Sequence, residues 1–117
     1  MKASTKMADA RVVLVTCANE EEARRIGESL VLEKLAACAN IVSGVMSIFF
    51  WQGQLRNEKE VLLILITRPA TYGALEKRVL ALHSYETPEV IALAVEDGSP
   101  AYLRWLHEMT GPEGPGR

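Results

Sequence analysis

The features that this chain lacks exclude several large classes of protein. Its 117 residues hold only two cysteines, Cys17 and Cys38, too few for the disulfide framework of a small secreted protein. No stretch approaches the roughly 20 apolar residues that a membrane-spanning helix requires. The lysines of the first ten residues are not followed by the apolar run of a signal peptide. We therefore expect a cytoplasmic protein that has no membrane partner.

The chain also lacks an excess of positive charge and the common catalytic motifs. Thirteen Lys and Arg stand against fifteen Asp and Glu, and aromatic residues make up only 6% of the sequence. This composition argues against a nucleic-acid partner, which favours a basic surface and, for RNA, aromatic strands. The sequence contains no GxSxG, phosphate-binding loop or HExxH motif. We predict a protein that is not an enzyme and has no organic cofactor.

Apolar residues are abundant for such a short chain. They make up 49% of the sequence, and the mean hydropathy is +0.07. Because small domains bury only about 60–70% of their unfolded surface, part of this apolar surface is expected to need a partner. Residues 1–10 show no apolar periodicity, and the Gly- and Pro-rich end has no side chain suited to a core. We expect one domain over residues 11–109, with disordered segments at 1–10 and 110–117.

The apolar pattern predicts alternating strands and helices. A β-branched run at 11–17 is followed by a helix that Asn19 caps, with Glu22 completing a capping-box-like pattern. The remaining expected elements are strands at 39–51, 60–67 and 89–95, turns at 52–54 and 56–58, a helix after Pro69 and a helix opened by Ser99-Pro100. This order is the split β-α-β pattern: an α+β, ferredoxin-like antiparallel sheet with helices on one face and an extra C-terminal helix.

The predicted strands are apolar on both faces. Residues 12–15, 61–66 and 90–95 do not alternate between apolar and polar types, as strands of a sheet with one wet face do. Two helices cover only one face of such a sheet, and a short terminal helix covers little of the other. We therefore expect another copy of the chain to cover the second face.

Four segments, in the same order along the chain, resemble the CutA family of divalent-cation tolerance proteins. They are residues 13–21, 33–41 with Leu-Ala-Ala-Cys, 47–53, and 81–89 with His-Ser-Tyr-Glu-Thr-Pro-Glu. The resemblance implies a compact homotrimer of ferredoxin-like subunits, similar to PII signalling proteins. It also implies binding of copper or another divalent cation and a role in metal tolerance.

One position departs from the family pattern. The family usually has proline after the motif histidine, whereas this chain has Ser84 after His83. A proline would restrict His83 to extended conformations, and serine removes that restriction. Serine at position 84 therefore leaves the backbone conformation of His83, and with it the placement of this ligand, open.

The candidate metal ligands are Cys17, Cys38 and His83, with the carboxylate of Glu86 as a further one. Thiolate and imidazole are ligands that copper favours. All three lie at expected element ends, but their spacing does not by itself form a site, and a free cysteine often serves as a small core residue. Glu86 and Glu89 flank Pro88. They could ligate a hard cation or bind amides at a subunit interface, and the interface is the favoured interpretation.

Three adjacent aromatic residues indicate a subunit interface. Phe49, Phe50 and Trp51 lie in an extended hairpin, where neighbours point to opposite faces, so at least one leaves its own core. Tyr85 is expected to border the same cleft between subunits. The leading hypothesis is a trimeric copper-binding protein that responds to metal ions. The alternative is a PII-like signalling or scaffold trimer that binds a small molecule or a partner protein between subunits.

Overall fold

A computed structural model describes residues 9–111 of the chain. Four strands and three helices follow one another in the predicted order. They are β1 (Arg11–Cys17), α1 (Glu20–Leu32), β2 (Cys38–Trp51), β3 (Gln54–Thr67), α2 (Pro69–Leu82), β4 (Val90–Ala94) and α3 (Pro100–Met109). Within the described residues, none of the three helices has both the length and the apolar character needed to cross a membrane.

The strands form one antiparallel sheet in the order β2-β3-β1-β4. The central strand β1 pairs with β3 from Arg11 opposite Thr67 to Cys17 opposite Val61. It pairs with β4 along its other edge. This strand order and the helix positions confirm the predicted α+β, ferredoxin-like fold.

One face of the sheet carries the main core. Alternate residues of β1 and β3 point to this face and are fully buried against α1 and α2, because a strand presents every second side chain to the same side. The core includes Val13, Val15, Leu63 and Leu65 from the strands with Ile26, Leu30, Leu75 and Val79 from the helices. The two helices therefore share one face, as predicted.

Helix α3 covers one end of the second face of the sheet. Leu103 and Leu106 of α3 form a small cluster against Ile66. Away from that end, Ile91 and Leu93 of β4 remain 49% and 51% exposed in the single chain. The apolar second face is thus present as the sequence pattern predicts, and most of it lies outside the cover that α3 provides.

The hairpin of β2 and β3 is longer than predicted. A two-residue turn at Gln52 and Gly53, both with positive φ (53° and 78°), reverses the chain. Pairing resumes at once with Trp51 opposite Gln54, so the turn predicted at 56–58 is wrong and those residues belong to β3. Gly44, which has a positive φ of 85°, lies at a bulge marked by a register shift between Val42 and Val45.

The ordered body extends slightly beyond the predicted limits. Ala10 is buried and accepts a hydrogen bond from the Val95 amide (3.2 Å). At the other end Thr110 is buried, and the Gly111 amide donates to the Lys34 carbonyl (2.9 Å). Ala10 and Thr110 therefore pack against the domain, whereas residues 1–8 and 112–117 of the predicted terminal segments lie outside the described residues.

Candidate functional site

Three buried side chains of different chemistry meet where β1 ends, α1 begins and α2 ends. One possible ligand atom from each of Cys17, Glu22 and His83 lies within 4.8 Å of the others. We call these residues the Cys17–Glu22–His83 cluster. It combines a thiol, a carboxylate and an imidazole in one buried position.

The start of α1 places Glu22 in this cluster. Asn19 caps the helix, and its Oδ1 accepts a hydrogen bond from the Glu22 amide (2.8 Å), as the sequence predicts. The Glu22 side chain turns back and accepts from the Ala18 amide (2.9 Å). In the usual capping box this acceptor serves the cap residue itself, so the predicted pattern is shifted here by one residue.

Two backbone groups determine which nitrogen of His83 carries the proton. His83 Nε2 lies 2.8 Å from the Thr16 carbonyl oxygen, and because a carbonyl can only accept, Nε2 is the donor. The Tyr85 amide donates to Nδ1 (3.1 Å). These partners assign a neutral ring with its proton on Nε2 and its lone pair on Nδ1, and Nδ1 lies 3.7 Å from Glu22 Oε2.

Glu22 is a buried carboxylate held by amides. Its Oε2 accepts from the Ser84 amide (2.7 Å) while Oε1 accepts from Ala18. Burial acts to raise the pKa of the Glu22 carboxyl, but these hydrogen bonds hold that pKa below its usual value. At neutral pH the cluster therefore contains a negative charge with fixed hydrogen-bond partners.

Cys17 is a thiol at neutral pH. Its side chain is fully buried, and burial, aided by the negative charges of Glu22 and Glu60, raises the pKa of the thiol to about 12. Only the thiolate binds a metal strongly, so ligation by Cys17 requires loss of this proton.

The donor set of the cluster fits a borderline divalent ion. Imidazole, thiolate and carboxylate are ligands of Cu²⁺ and Zn²⁺. The lone pair on His83 Nδ1 and both Glu22 oxygens, however, already accept backbone amides. A metal ion that used these atoms would replace at least one of these hydrogen bonds, and the Ser84–Tyr85 segment would respond.

The structure brings together two of the four predicted ligands, Cys17 and His83, and separates Cys38 from them. Cys17 pairs with Val61 on β3, whereas Cys38 pairs with Ile66, toward the other end of that strand. Cys38 Sγ lies 3.7 Å from Asn40 Oδ1. Glu22 was not predicted as a ligand; its place three residues after the cap Asn19 was the available signal.

A cavity of about 640 Å³ lies beside the cluster. Tyr85 joins the two: its ring lies 4.7 Å from that of His83, and its Oη donates to Glu60 Oε2 (2.6 Å) on the cavity wall. The wall also includes the carboxylates and aromatic residues Glu58, Glu86, Glu89, Phe49 and Trp51. Glu86 and Glu89 therefore line the cavity rather than the cluster.

The three adjacent aromatic residues divide between the two faces of the hairpin. Phe49 and Trp51 line the cavity, and Phe50 between them points the other way and is 69% exposed. All three are exposed in the single chain, at 40% for Phe49 and 39% for Trp51. They remain the candidates for a subunit interface, together with Tyr85 and Glu89.

Known proteins resemble this chain over almost its whole described length. The profile of the CutA1 divalent ion tolerance protein family matches residues 11–109. A divalent-cation tolerance protein CutA of Thermus thermophilus is 48% identical over 100 residues, which cover 86% of this chain and 97% of that protein. A chloroplastic CutA 1 of Oryza sativa is 42% identical over 94% of this chain, and the match spans only 62% of that relative's length.

Solved structures agree with the sequence comparison. The Thermus thermophilus divalent cation tolerance protein superposes with a TM-score of 0.85 at 47% identity, covering 87% of this chain and 99% of that one. The Oryza sativa CutA1 crystal structure superposes with a TM-score of 0.86 at 44% identity, covering 88% and 94%. The chain therefore belongs to the CutA1 family of divalent ion tolerance proteins.

Proposed function

We propose that this protein binds a divalent cation, with copper as the leading candidate, and acts in the tolerance of metal ions. The observation that carries the proposal is the meeting of Cys17, Glu22 and His83, whose ligand atoms lie within 4.8 Å of one another. The relatives are named divalent-cation tolerance proteins, which supports the same function.

Each residue of the cluster has a defined part in this proposal. His83 offers Nδ1, the ring nitrogen that carries no proton, while its Nε2–H stays on the Thr16 carbonyl and keeps the ring oriented. Glu22 supplies a negative charge that offsets the charge of the cation. Cys17 supplies sulfur after losing its proton, so we expect metal binding to release protons.

The proposed working form is a cytoplasmic, non-enzymatic homotrimer. Support comes from the exposed apolar residues of the second face, Ile91 and Leu93, and from the exposed hairpin residue Phe50. Another copy of the chain would cover them, with Phe49, Trp51, Tyr85 and Glu89 at the borders between subunits.

Copper titration of a set of single variants tests the metal site. We expect Cys17→Ser, Glu22→Gln and His83→Ala each to weaken copper binding at least tenfold, since they remove the thiolate, the negative charge and the imidazole, respectively. Cys38→Ser and Glu86→Gln are the matched controls, because Cys38 and Glu86 lie outside the cluster. Unchanged affinity in the His83→Ala variant refutes the proposed site, and a loss in Cys38→Ser would instead favour the ligand set predicted from the sequence.

The cavity favours a second candidate function. Its volume of about 640 Å³ and its mixed wall of aromatic and carboxylate side chains suit a small molecule. We propose as the alternative a PII-like signalling or scaffold trimer that binds a small molecule or a partner protein there. A melting temperature that micromolar copper leaves unchanged and a metabolite raises would favour this alternative, since a ligand specific for the native state must stabilise it.

A further inference from the structure

The backbone is extended at the junction of α2 and the following segment. His83 ends the helix with φ −79° and ψ 145°, the extended conformation that a proline at the next position imposes. The next residue is Ser84, whose backbone imposes no such restriction. In this chain, contacts with other elements rather than a proline ring accompany this conformation.

The contacts come from the first turn of α1. The Ser84 amide donates to Glu22 Oε2 at 2.7 Å, a bond that a proline could not make because it has no N–H. One residue earlier in the chain, the Leu82 carbonyl accepts from Arg25 Nη1 (3.2 Å). Glu22 is itself fixed by the Ala18 amide, so the acceptor that meets Ser84 is rigid.

The ring of His83 depends on the same segment. Its Nδ1 accepts from the Tyr85 amide, the residue directly after the one that Glu22 holds. If Ser84 were released, the Tyr85 amide would lose its fixed direction, and the ring nitrogens would no longer have one defined set of partners. A buried hydrogen bond to a charged acceptor is among the stronger ones in a protein.

We propose that Glu22 is a positioning residue for His83: by accepting the Ser84 amide it holds His83 extended and keeps the proton of the ring on Nε2. The Glu22 carboxylate thereby keeps His83 extended, as a proline ring at position 84 would. The inference concerns the metal-free protein, so its test does not depend on whether the proposed metal site is correct.

Loss and rescue of the His83 ring signals test the inference. In metal-free protein at neutral pH, the imidazole ¹⁵N shifts of the wild type should report a single tautomer protonated at Nε2. The Glu22→Ala variant should show a mixture of tautomers for His83. Adding Ser84→Pro to Glu22→Ala should restore the wild-type ring signals, because the ring of proline then holds His83 extended.

Two controls separate this role from a general loss of structure. Glu21→Ala removes an exposed carboxylate from the same helical turn and should leave the His83 signals unchanged. Ser84→Ala removes the hydroxyl, which also hydrogen-bonds Glu22, but keeps the backbone amide, so the single tautomer of His83 protonated at Nε2 should remain. Wild-type His83 shifts in the Glu22→Ala variant, or a failure of Ser84→Pro to restore them, would overturn the inference.

A measurement on the wild type keeps the test decisive if Glu22→Ala does not fold. The Ser84 amide hydrogen should exchange with solvent at least tenfold more slowly than the exposed amides of the described loops, because it is bonded to a buried acceptor. Exchange as fast as that of an exposed amide would contradict the hydrogen bond on which the inference depends.

Discussion

The two cysteine residues differ in how far they are buried. Cys17 is fully buried beneath α1, whereas Cys38 is partly exposed at the start of β2. Because the thiolate is the reactive form, a thiol that is both buried and shifted to a pKa of about 12 is protected from reagents in two ways. The two thiols should therefore behave differently toward the same reagent.

We predict that iodoacetamide at pH 8 modifies Cys38 and spares Cys17 in the native, metal-free protein. Peptide mass spectrometry should find the label on Cys38 at least tenfold in excess of that on Cys17. Both should label equally in denaturant, which serves as the control. Rapid native labelling of Cys17 would contradict the burial that the structure assigns to it.

The cluster could be predicted only in part from the sequence. Cys17 and His83 were identified because their side chains are metal ligands at the ends of elements. Their meeting depends on how the end of α2 lies over the end of β1, which local periodicity does not reveal. Glu22 was interpreted as a capping residue, since its approach to Ser84 joins positions 62 residues apart in the chain. Cys38 was grouped with them by chemistry alone.

Two glycine residues, one in α1 and one in α2, differ in the space around them. A methyl group on Gly27 of α1 would lie 3.0 Å from Ala39 Cβ, an atom that cannot rotate away, whereas a methyl group on Gly73 of α2 would meet nothing within 4 Å. Gly27 thus allows α1 to approach the sheet closely, and Gly73 has no such role.

We predict opposite effects on stability for alanine at these two positions. Gly73→Ala should raise the free energy of unfolding by about 0.5–1 kcal/mol, because glycine is a poor helix former. Gly27→Ala should lower it by about 1–3 kcal/mol through crowding against the sheet. Urea denaturation at one fixed protein concentration measures both, and a gain in stability for Gly27→Ala would contradict the close approach.

The turn of the hairpin gives a second test of stability. Gln52 and Gly53 both have positive φ, a conformation that asparagine tolerates better than glutamine and glycine better than alanine. We predict that Gly53→Ala destabilises the protein by about 1–2 kcal/mol and that Gln52→Asn stabilises it by a smaller amount. Thermal unfolding of the two variants provides the comparison, and equal melting temperatures would contradict the turn geometry.

Elements were easier to predict than their exact limits. The β-branched and apolar runs identified every strand and helix, because periodicity and end signals are local. The polar composition of residues 56–58 predicts a turn. In the structure these residues continue β3, where they pair with Ser47, Ile48 and Phe49. Cross-strand pairing extends the hairpin there although Ile48 remains 65% exposed, and composition does not show this.

The apolar second face of the sheet is the dominant feature of the whole molecule. A large exposed patch of apolar residues commonly marks an interface between proteins. Ile91 and Leu93 lie on this face about half exposed, and Leu80 on α2 is a similarly exposed apolar residue that belongs to the helical layer. These residues allow the proposed trimer to be tested with a matched control.

We predict that Ile91→Asp combined with Leu93→Asp shifts the protein from three times the chain mass of 12.9 kDa toward a single chain at low micromolar concentration. Burying each apolar side chain contributes about 1.5–3 kcal/mol, and a charge there reverses that contribution. Light scattering measures the mass, and Leu80→Asp should leave it unchanged. A wild-type mass of 12.9 kDa would refute the trimer.

The position of β1 at the centre of the sheet has a consequence for biosynthesis. Of the described strands, β1 leaves the ribosome first, yet its two neighbours arrive late, since Arg11 pairs with Thr67 on one side and Ala94 on the other. The hairpin of β2 and β3 can form locally, while β1 must wait for contacts that are distant along the chain, and such topologies fold slowly. A nascent chain that stalls before β4 therefore exposes one edge of an apolar strand, which makes the completion of synthesis the step that protects this protein from aggregation.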